Sequence, residues 1–340
     1  MTERKHYLDN LRTLVILLLF PYHTFMIYNN WGETFYIHGQ DLLAPSLFVG
    51  INWTWMMPAM FVIAGISSRY ALRIRSLGEY AKERVSKLLI PLGFGLLLVI
   101  PVQSYFAGLF WHGSAVYMES FTKLTDLSGY DGAFGVGQLW FILFLFAITM
   151  VSISFMALYE KKSKGTLGDK TPMAVLLLFG ILPCLGNELF DISGKSPTEY
   201  LAFFLLGYFF VSGEKTLERL DRYRFLLLGL GVAGLLVSQY FGGMFAEWVS
   251  WIAVLAVLGL CRHYFNYSGK TMRYLTKASF GVFIFHQSWI VVAAYFVFKL
   301  TGNPLLQIPL ILVFSIVFTF LTYEGARRVA VFRWMFALKR

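Results

Sequence analysis

Cysteine is nearly absent from this 340-residue chain. The two present, Cys184 and Cys261, both sit in apolar stretches, too few for a disulfide framework or a thiolate metal cluster. Charge is scarce as well. It makes up 14% of residues, against about 25% in ordinary soluble domains, which excludes a water-soluble globule. No Walker loop, dinucleotide fingerprint, His-Glu-x-x-His or Gly-x-Ser-x-Gly occurs, which removes nucleotide-driven machinery and standard serine hydrolases. Pro- or Ser-rich linkers, low-complexity tracts and repeats are also missing, so one domain over residues 1–340 is expected.

What fills the chain is apolar. Hydrophobic residues make up 57% and aromatic residues 18% of the sequence, spread over its whole length, so bilayer is its main solvent. A helix needs about 20 apolar residues to span a bilayer, fewer where neighbours shield it. Ten runs approach that length: 11–30, 46–66, 88–108, 137–158, 172–187, 198–213, 225–241, 248–265, 279–300 and 306–326. The first follows Arg4 and Lys5 as a secretory signal would, but it continues through Pro21, Tyr22 and His23 without a small-residue cleavage site, and is read as a helix.

The net charge of +10 could suggest nucleic acid, yet in a membrane protein the distribution of Lys and Arg carries the information. With ten crossings, 26 of the 29 Lys and Arg fall on one side, including Arg4 at the start, Lys162 and Lys164 in the fourth connection and Arg340 at the end. Only Lys123, Lys195 and Lys299 fall opposite. The expected fold is therefore an all-α integral membrane protein, ten transmembrane helices in one bundle, with both termini cytoplasmic. Outer connections are short except 31–45 and 110–135, the latter holding His112, Glu119, Asp126 and Asp131.

Ionisable groups at membrane depth are costly, so they point to a pocket or pathway. Arg12 and His23 lie eleven residues apart, within about 20° of three helical turns and about 16 Å of rise, and so share a face of the first helix. An arginine at the cytoplasmic mouth can grip phosphate with a bidentate fork, and a histidine further in can exchange protons near neutral pH. The plainer reading makes Arg12 the last positive-inside residue and His23 a hydrogen bond to a neighbouring helix. His286, followed by Gln287 and Ser288, is a second intramembrane histidine, either packed on a carbonyl or lining a cavity. Gln138 and Trp140 open the fourth run as an aromatic belt or a sugar-stacking platform. Arg84 and Lys87 open the third, facing acidic lipid headgroups or the phosphates of a soluble ligand. Glu324 with Arg327 and Arg328 reads as an interfacial ion pair.

Tyr7-Leu8-Asp9-Asn10-Leu11-Arg12, followed after ten residues by His23, resembles the N-terminal signature of the membrane-bound acyltransferase-3 family, and its Leu-Asp-Asn-Leu-Arg form is similar to that family's glucan-biosynthesis branch. Glu83-Arg84 through Lys87 to Pro91, Leu139-Trp140-Phe141, Leu206-Gly207-Tyr208 and Ser279 to His286 resemble further family segments. Phe283 stands where relatives often carry Tyr, and Lys87 where they carry a second Arg.

The resemblance implies transfer of an acyl group, acetyl or succinyl, from cytoplasmic acyl-CoA as co-substrate to a hydroxyl of an extracytoplasmic glycan. It implies His23 as general base, Arg12, Arg84 and Lys87 on the CoA phosphates, and His286, Gln138 and Trp140 on the acceptor or the developing oxyanion. An acyl-His23 intermediate is left open beside direct transfer. Partners are membrane lipid and the glycan acceptor; no metal and no nucleic acid is expected, a homo-oligomer is compatible, and the location is the inner membrane. The competing classes are a transporter of a small polar solute, with the histidines as binding groups, and a membrane sensor without turnover.

Overall fold

Backbone N–H and C=O groups in hydrocarbon have no water to bond, so long apolar runs fold as helices that satisfy them internally. The computed structural model describes residues 5–123, 127–162 and 167–339. Arg4, Asp126, Lys164 and Arg340 lie outside the described residues, as does the side chain of Lys162.

In chain order the helices are α1 (His6–Met26), α2 (Leu43–Trp53), α3 (Met56–Leu72), α4 (Leu77–Arg84), α5 (Ile90–Leu98), α6 (Ile100–His112), α7 (Trp140–Lys162) and α8 (Met173–Leu178). There follow α9 (Ile181–Asn187), α10 (Pro197–Leu206), α11 (Glu214–Arg222), α12 (Arg224–Tyr240), α13 (Ala246–Tyr264), α14 (Lys270–Leu300), α15 (Pro304–Ala326) and α16 (Ala330–Met335). Among the described residues there is no β-strand, and every one of the ten apolar runs is helical.

Among the described residues, six helical stretches are long and apolar enough to cross a membrane: Leu43–Leu72, Leu77–His112, Gly137–Lys161, Ala246–Tyr264, Lys270–Leu300 and Pro304–Ala326. Met173–Asn187, Pro197–Val211 and Arg224–Tyr240 are shorter apolar helices. Their ends differ from the apolar runs for local reasons. The first helix stops at Met26 rather than residue 30, because the Asn29 amide donates to the carbonyls of Met26 (2.8 Å) and Glu33 (2.6 Å) and turns the chain. The ninth run starts at Lys270, since Lys270, Arg273 and Lys277 are good helix formers that an apolarity scan passes over.

The chain divides into two compact units, each built from discontinuous segments. The first takes Met1–Thr13, Trp53–Val85 and Phe144–Met272. Its centre is a backbone-to-backbone crossing. A Cβ on Gly65 would stand 2.1 Å from the Phe204 carbonyl oxygen, and one on Gly207 2.3 Å from that of Val62, so α3 approaches α10 and the turn that follows it as only glycine permits. Beside it, the wholly buried Arg69 pairs with Glu160 at 3.4 Å and lies over the rings of Tyr159 (4.8 Å) and Tyr208 (5.6 Å), while the Tyr208 hydroxyl donates to the same carboxylate at 2.9 Å.

The second unit takes Leu14–Asn52, Ser86–Leu143 and Arg273–Arg340. Its interior is polar without being charged. Gln287 Nε2 donates to Gln103 Oε1 (3.1 Å), Gln103 Nε2 to Gln138 Oε1 (2.8 Å), and Gln138 Nε2 to the Ile284 carbonyl (2.5 Å). Ser288 Oγ donates to the Val99 carbonyl at 3.1 Å. At the end of α15, Glu324 pairs with Arg327 (2.8 Å) and Arg328 (3.8 Å), the interfacial pair its spacing suggests.

Candidate active site

Helix α1 supplies Arg12 to the first unit and His23 to the second. In the first unit Arg12, with 32% of its side chain exposed, pairs with Asp9 at 3.2 Å and donates to Ser67 Oγ at 3.2 Å. The adjacent Ser68 accepts from the Tyr80 hydroxyl (2.7 Å), and the Arg84 guanidinium lies over the Tyr80 ring at 4.6 Å. Two neighbouring serines on α3 thus anchor both arginines, one directly and one through a phenol. Lys87 belongs to the second unit, where it is exposed in the π-helical turn Val85–Leu89, a widening of the helix that recurs at functional positions.

In the second unit His23 and His286 come together, with ring centroids 5.3 Å apart. His286 is 0% exposed. Its Nδ1 stands 2.7 Å from the Phe283 carbonyl, which can only accept, so Nδ1 carries the proton in the neutral ring and Nε2 carries the lone pair. Nε2 has no hydrogen-bond partner among the described residues. Phe20 (5.8 Å) and Phe283 (6.0 Å) pack around the ring. His23 is half-buried, one residue past Tyr22, whose ring meets it edge-on at 5.2 Å, and it stacks on Phe35 at 5.7 Å with 10° between planes. Pro21 just before it removes the helical N–H that would bond the Leu17 carbonyl.

Gln138 is 3% exposed and both ends of its amide engage protein: the carbonyl accepts from Gln103, and the NH2 reaches α14 two residues before His286. Trp140 is half-buried and packs edge-on against Phe141 at 6.4 Å. Phe141 in turn meets Phe283 at 5.7 Å.

Two connections close over His23. Phe35 meets Tyr130 at 5.4 Å, and the Tyr130 hydroxyl donates to Glu33 Oε1 at 3.0 Å. Burial, reinforced by the Glu33 carboxylate, holds the Tyr130 phenol well above its ordinary range, so it stays a donor. Sequence reading missed Gln103, Phe35, Tyr130 and Glu33. Gln103 could have been found as a lone amide inside an apolar run. The other three lie in connections where no periodicity marks them.

Among the described residues, no group of three or more His, Cys, Asp or Glu could hold a metal ion. The arrangement offers anchored cations on α1 and α4, and a pair of imidazoles in an uncharged, largely apolar surround. The first suits anionic groups and the second proton transfer.

A family model described as an acyltransferase domain matches residues 5–324. The proteins named glucans biosynthesis protein C from Escherichia coli O81 (strain ED1a) and from Escherichia coli (strain SMS-3-5 / SECEC) are each 23% identical to this chain over 378 residues, covering 99% of it and 95% of their own length. No solved structure matches.

Proposed function

We propose, starting from the acyltransferase-3 domain family to which the chain belongs, that it moves an acetyl or succinyl group from cytoplasmic acyl-CoA to a hydroxyl of an extracytoplasmic glycan. The chain is a membrane acyltransferase, and the group it transfers is not aminoacyl. Glucan is the acceptor class we favour, from the name its relatives carry. In the same proposal the ten apolar helices all cross the inner membrane, and both termini face the cytoplasm, where the basic connections lie.

The observation that carries this reading is the His23–His286 pair at 5.3 Å, with one imidazole fixed in its tautomer by a carbonyl. His23 takes the proton of the acceptor hydroxyl as the oxygen attacks the thioester carbonyl. The C–O bond forms, the C–S bond breaks, and the leaving CoA thiolate recovers the proton from the His23 imidazolium. His286 Nε2 accepts a hydrogen bond from the acceptor and holds it for attack. The proposed partners of the CoA phosphates are Arg12, Arg84 and Lys87, through charge-assisted hydrogen bonds. Trp140 gives the acceptor an apolar ring to lie against, and Gln138 positions His286 through α14.

Purified protein in nanodiscs, supplied with labelled acetyl-CoA or succinyl-CoA and a glucan acceptor, tests the proposal. His23→Ala is expected to lower transfer by about 10²- to 10⁴-fold. Full activity in that variant removes His23 as the base. Arg12→Lys, which keeps the charge and loses the fork, is expected to raise the KM for acyl-CoA with little change in folding. An unchanged KM removes Arg12 from the donor site.

A further inference from the structure

Trp31 is 47% exposed and so presents a ring face to a ligand or lipid. Its ring is held in place: the indole Nε1 donates to Glu33 Oε2 at 3.1 Å, and Gly32 between them turns the chain at φ +81°. The same carboxylate accepts from the Tyr130 hydroxyl on its other oxygen, Oε1. A carboxylate has about four lone-pair positions, so two are still open to donors. Glu33 is further fixed by its backbone, whose N–H donates to Asn29 Oδ1 (3.1 Å) and whose carbonyl accepts from Asn29 Nδ2 (2.6 Å). An exposed indole face beside an anchored carboxylate matches a hexose, which offers an apolar C–H face and a rim of hydroxyl donors.

We infer that Trp31, Glu33 and Tyr130 form a sugar subsite that grips the glycan acceptor at a unit other than the one acylated. Phe35 stands between this trio and His23, stacked on the imidazole at 5.7 Å and meeting Tyr130 at 5.4 Å. A sugar lying on Trp31 is thus separated from His23 by a ring, and the reacting hydroxyl belongs to a further unit of the same chain. Asp131, next after Tyr130, lines a depression with His112, Glu119 and Lys123. The ligand is neutral, since Glu33 is the trio's only charge and repels an anion, and Lys123 beside Asp131 is paired with Glu119 at 2.9 Å and brings no net positive field. The inference rests on the glycan-acceptor reading above and names the part of that acceptor which is recognised.

The test uses the full chain in nanodiscs and a linear glucose hexasaccharide as probe, read by tryptophan fluorescence titration and saturation-transfer NMR with no acyl donor present. The wild type is expected to bind the hexasaccharide more tightly than glucose. Trp31→Ala is expected to weaken binding about tenfold, Trp31→Tyr to recover most of it by restoring a ring, and Glu33→Gln to weaken it as Trp31→Ala does. Wild-type protein that does not bind the probe, Trp31→Ala that binds it unchanged, or Trp31→Tyr that fails to recover binding each overturns the subsite. Failure of the acyltransferase reading is seen separately: the probe binds with these mutant effects, yet no acyl group reaches it from either donor.

Discussion

Arg69 in the first unit and His286 in the second are both withdrawn completely from solvent, yet their surroundings differ in kind. Arg69 is balanced by Glu160 at 3.4 Å and two phenol rings, in a unit that also holds the Arg12–Asp9 pair and a three-way contact in which Lys5 and Arg262 both bond Glu214. Around His286, carbonyls, Phe20, Phe283 and the three linked glutamines do the same holding without a formal charge. A surface that receives an anion benefits from cations already fixed by partners, because little ordering is left to pay for on binding. The histidine pair, in which His23 takes the proton, needs the reverse. A nearby fixed charge would move its pKa by whole units, whereas amide and carbonyl bonds set orientation and tautomer and leave the proton free to move.

The contrast can be broken at three depths. Arg69→Met strips the partner from a mostly buried Glu160 and is expected to destabilise the solubilised protein by roughly 3–5 kcal/mol, with the double variant Arg69→Met, Glu160→Leu recovering most of it. Thermal unfolding in detergent reads both, and a single variant that melts with the wild type would mean the ion pair holds nothing. Gln138→Leu leaves the Gln103 amide and the Ile284 carbonyl without their partner, an expected cost of about 1–3 kcal/mol. Because that amide reaches α14 beside His286, kcat should fall while the KM for acyl-CoA holds. A variant with lower stability and untouched kcat would make Gln138 a packing residue only.

The smallest effect is at Glu214, whose side chain is 52% exposed. Burial alone would raise its pKa, but hydrogen bonds from Lys5 and Arg262 outweigh it and hold the carboxyl below its ordinary range. A lowered folded-state pKa contributes stability above the unfolded pKa, near 4.5, and that contribution is lost as pH falls through the folded value. Glu214→Gln should therefore cost less than about 1 kcal/mol at pH 7. The gap between wild type and variant should close as pH drops below 4.5. Melting curves across that range check it, and a gap that widens on acidification contradicts the assignment.

Much of this was legible in the chain. All ten apolar runs are helical, because helix is what an unbroken apolar stretch must adopt in lipid. Arg12 and His23 were singled out by their spacing on one helix, and both lie on α1. Gly207 drew notice only as part of a motif; that its missing side chain admits the Val62 carbonyl could not be read from spacing. His286 was visible as an oddity, and its closeness to His23 was not, since 263 positions separate them in the sequence. Glu33 and Tyr130, in two connections between helices, carried no signal at all.

Composition and hydrophobic pattern determined the membrane setting, the helical class and the short list of polar residues at depth. Those follow from solvation, which acts on each segment by itself. Tertiary structure decided which of those residues meet: two histidines ring to ring, three glutamines in one chain of hydrogen bonds, a carboxylate shared by an indole and a phenol. Hydrogen bonds and ring contacts act over a few ångströms, so they depend on how helices far apart in sequence are packed, and a linear pattern holds no record of that.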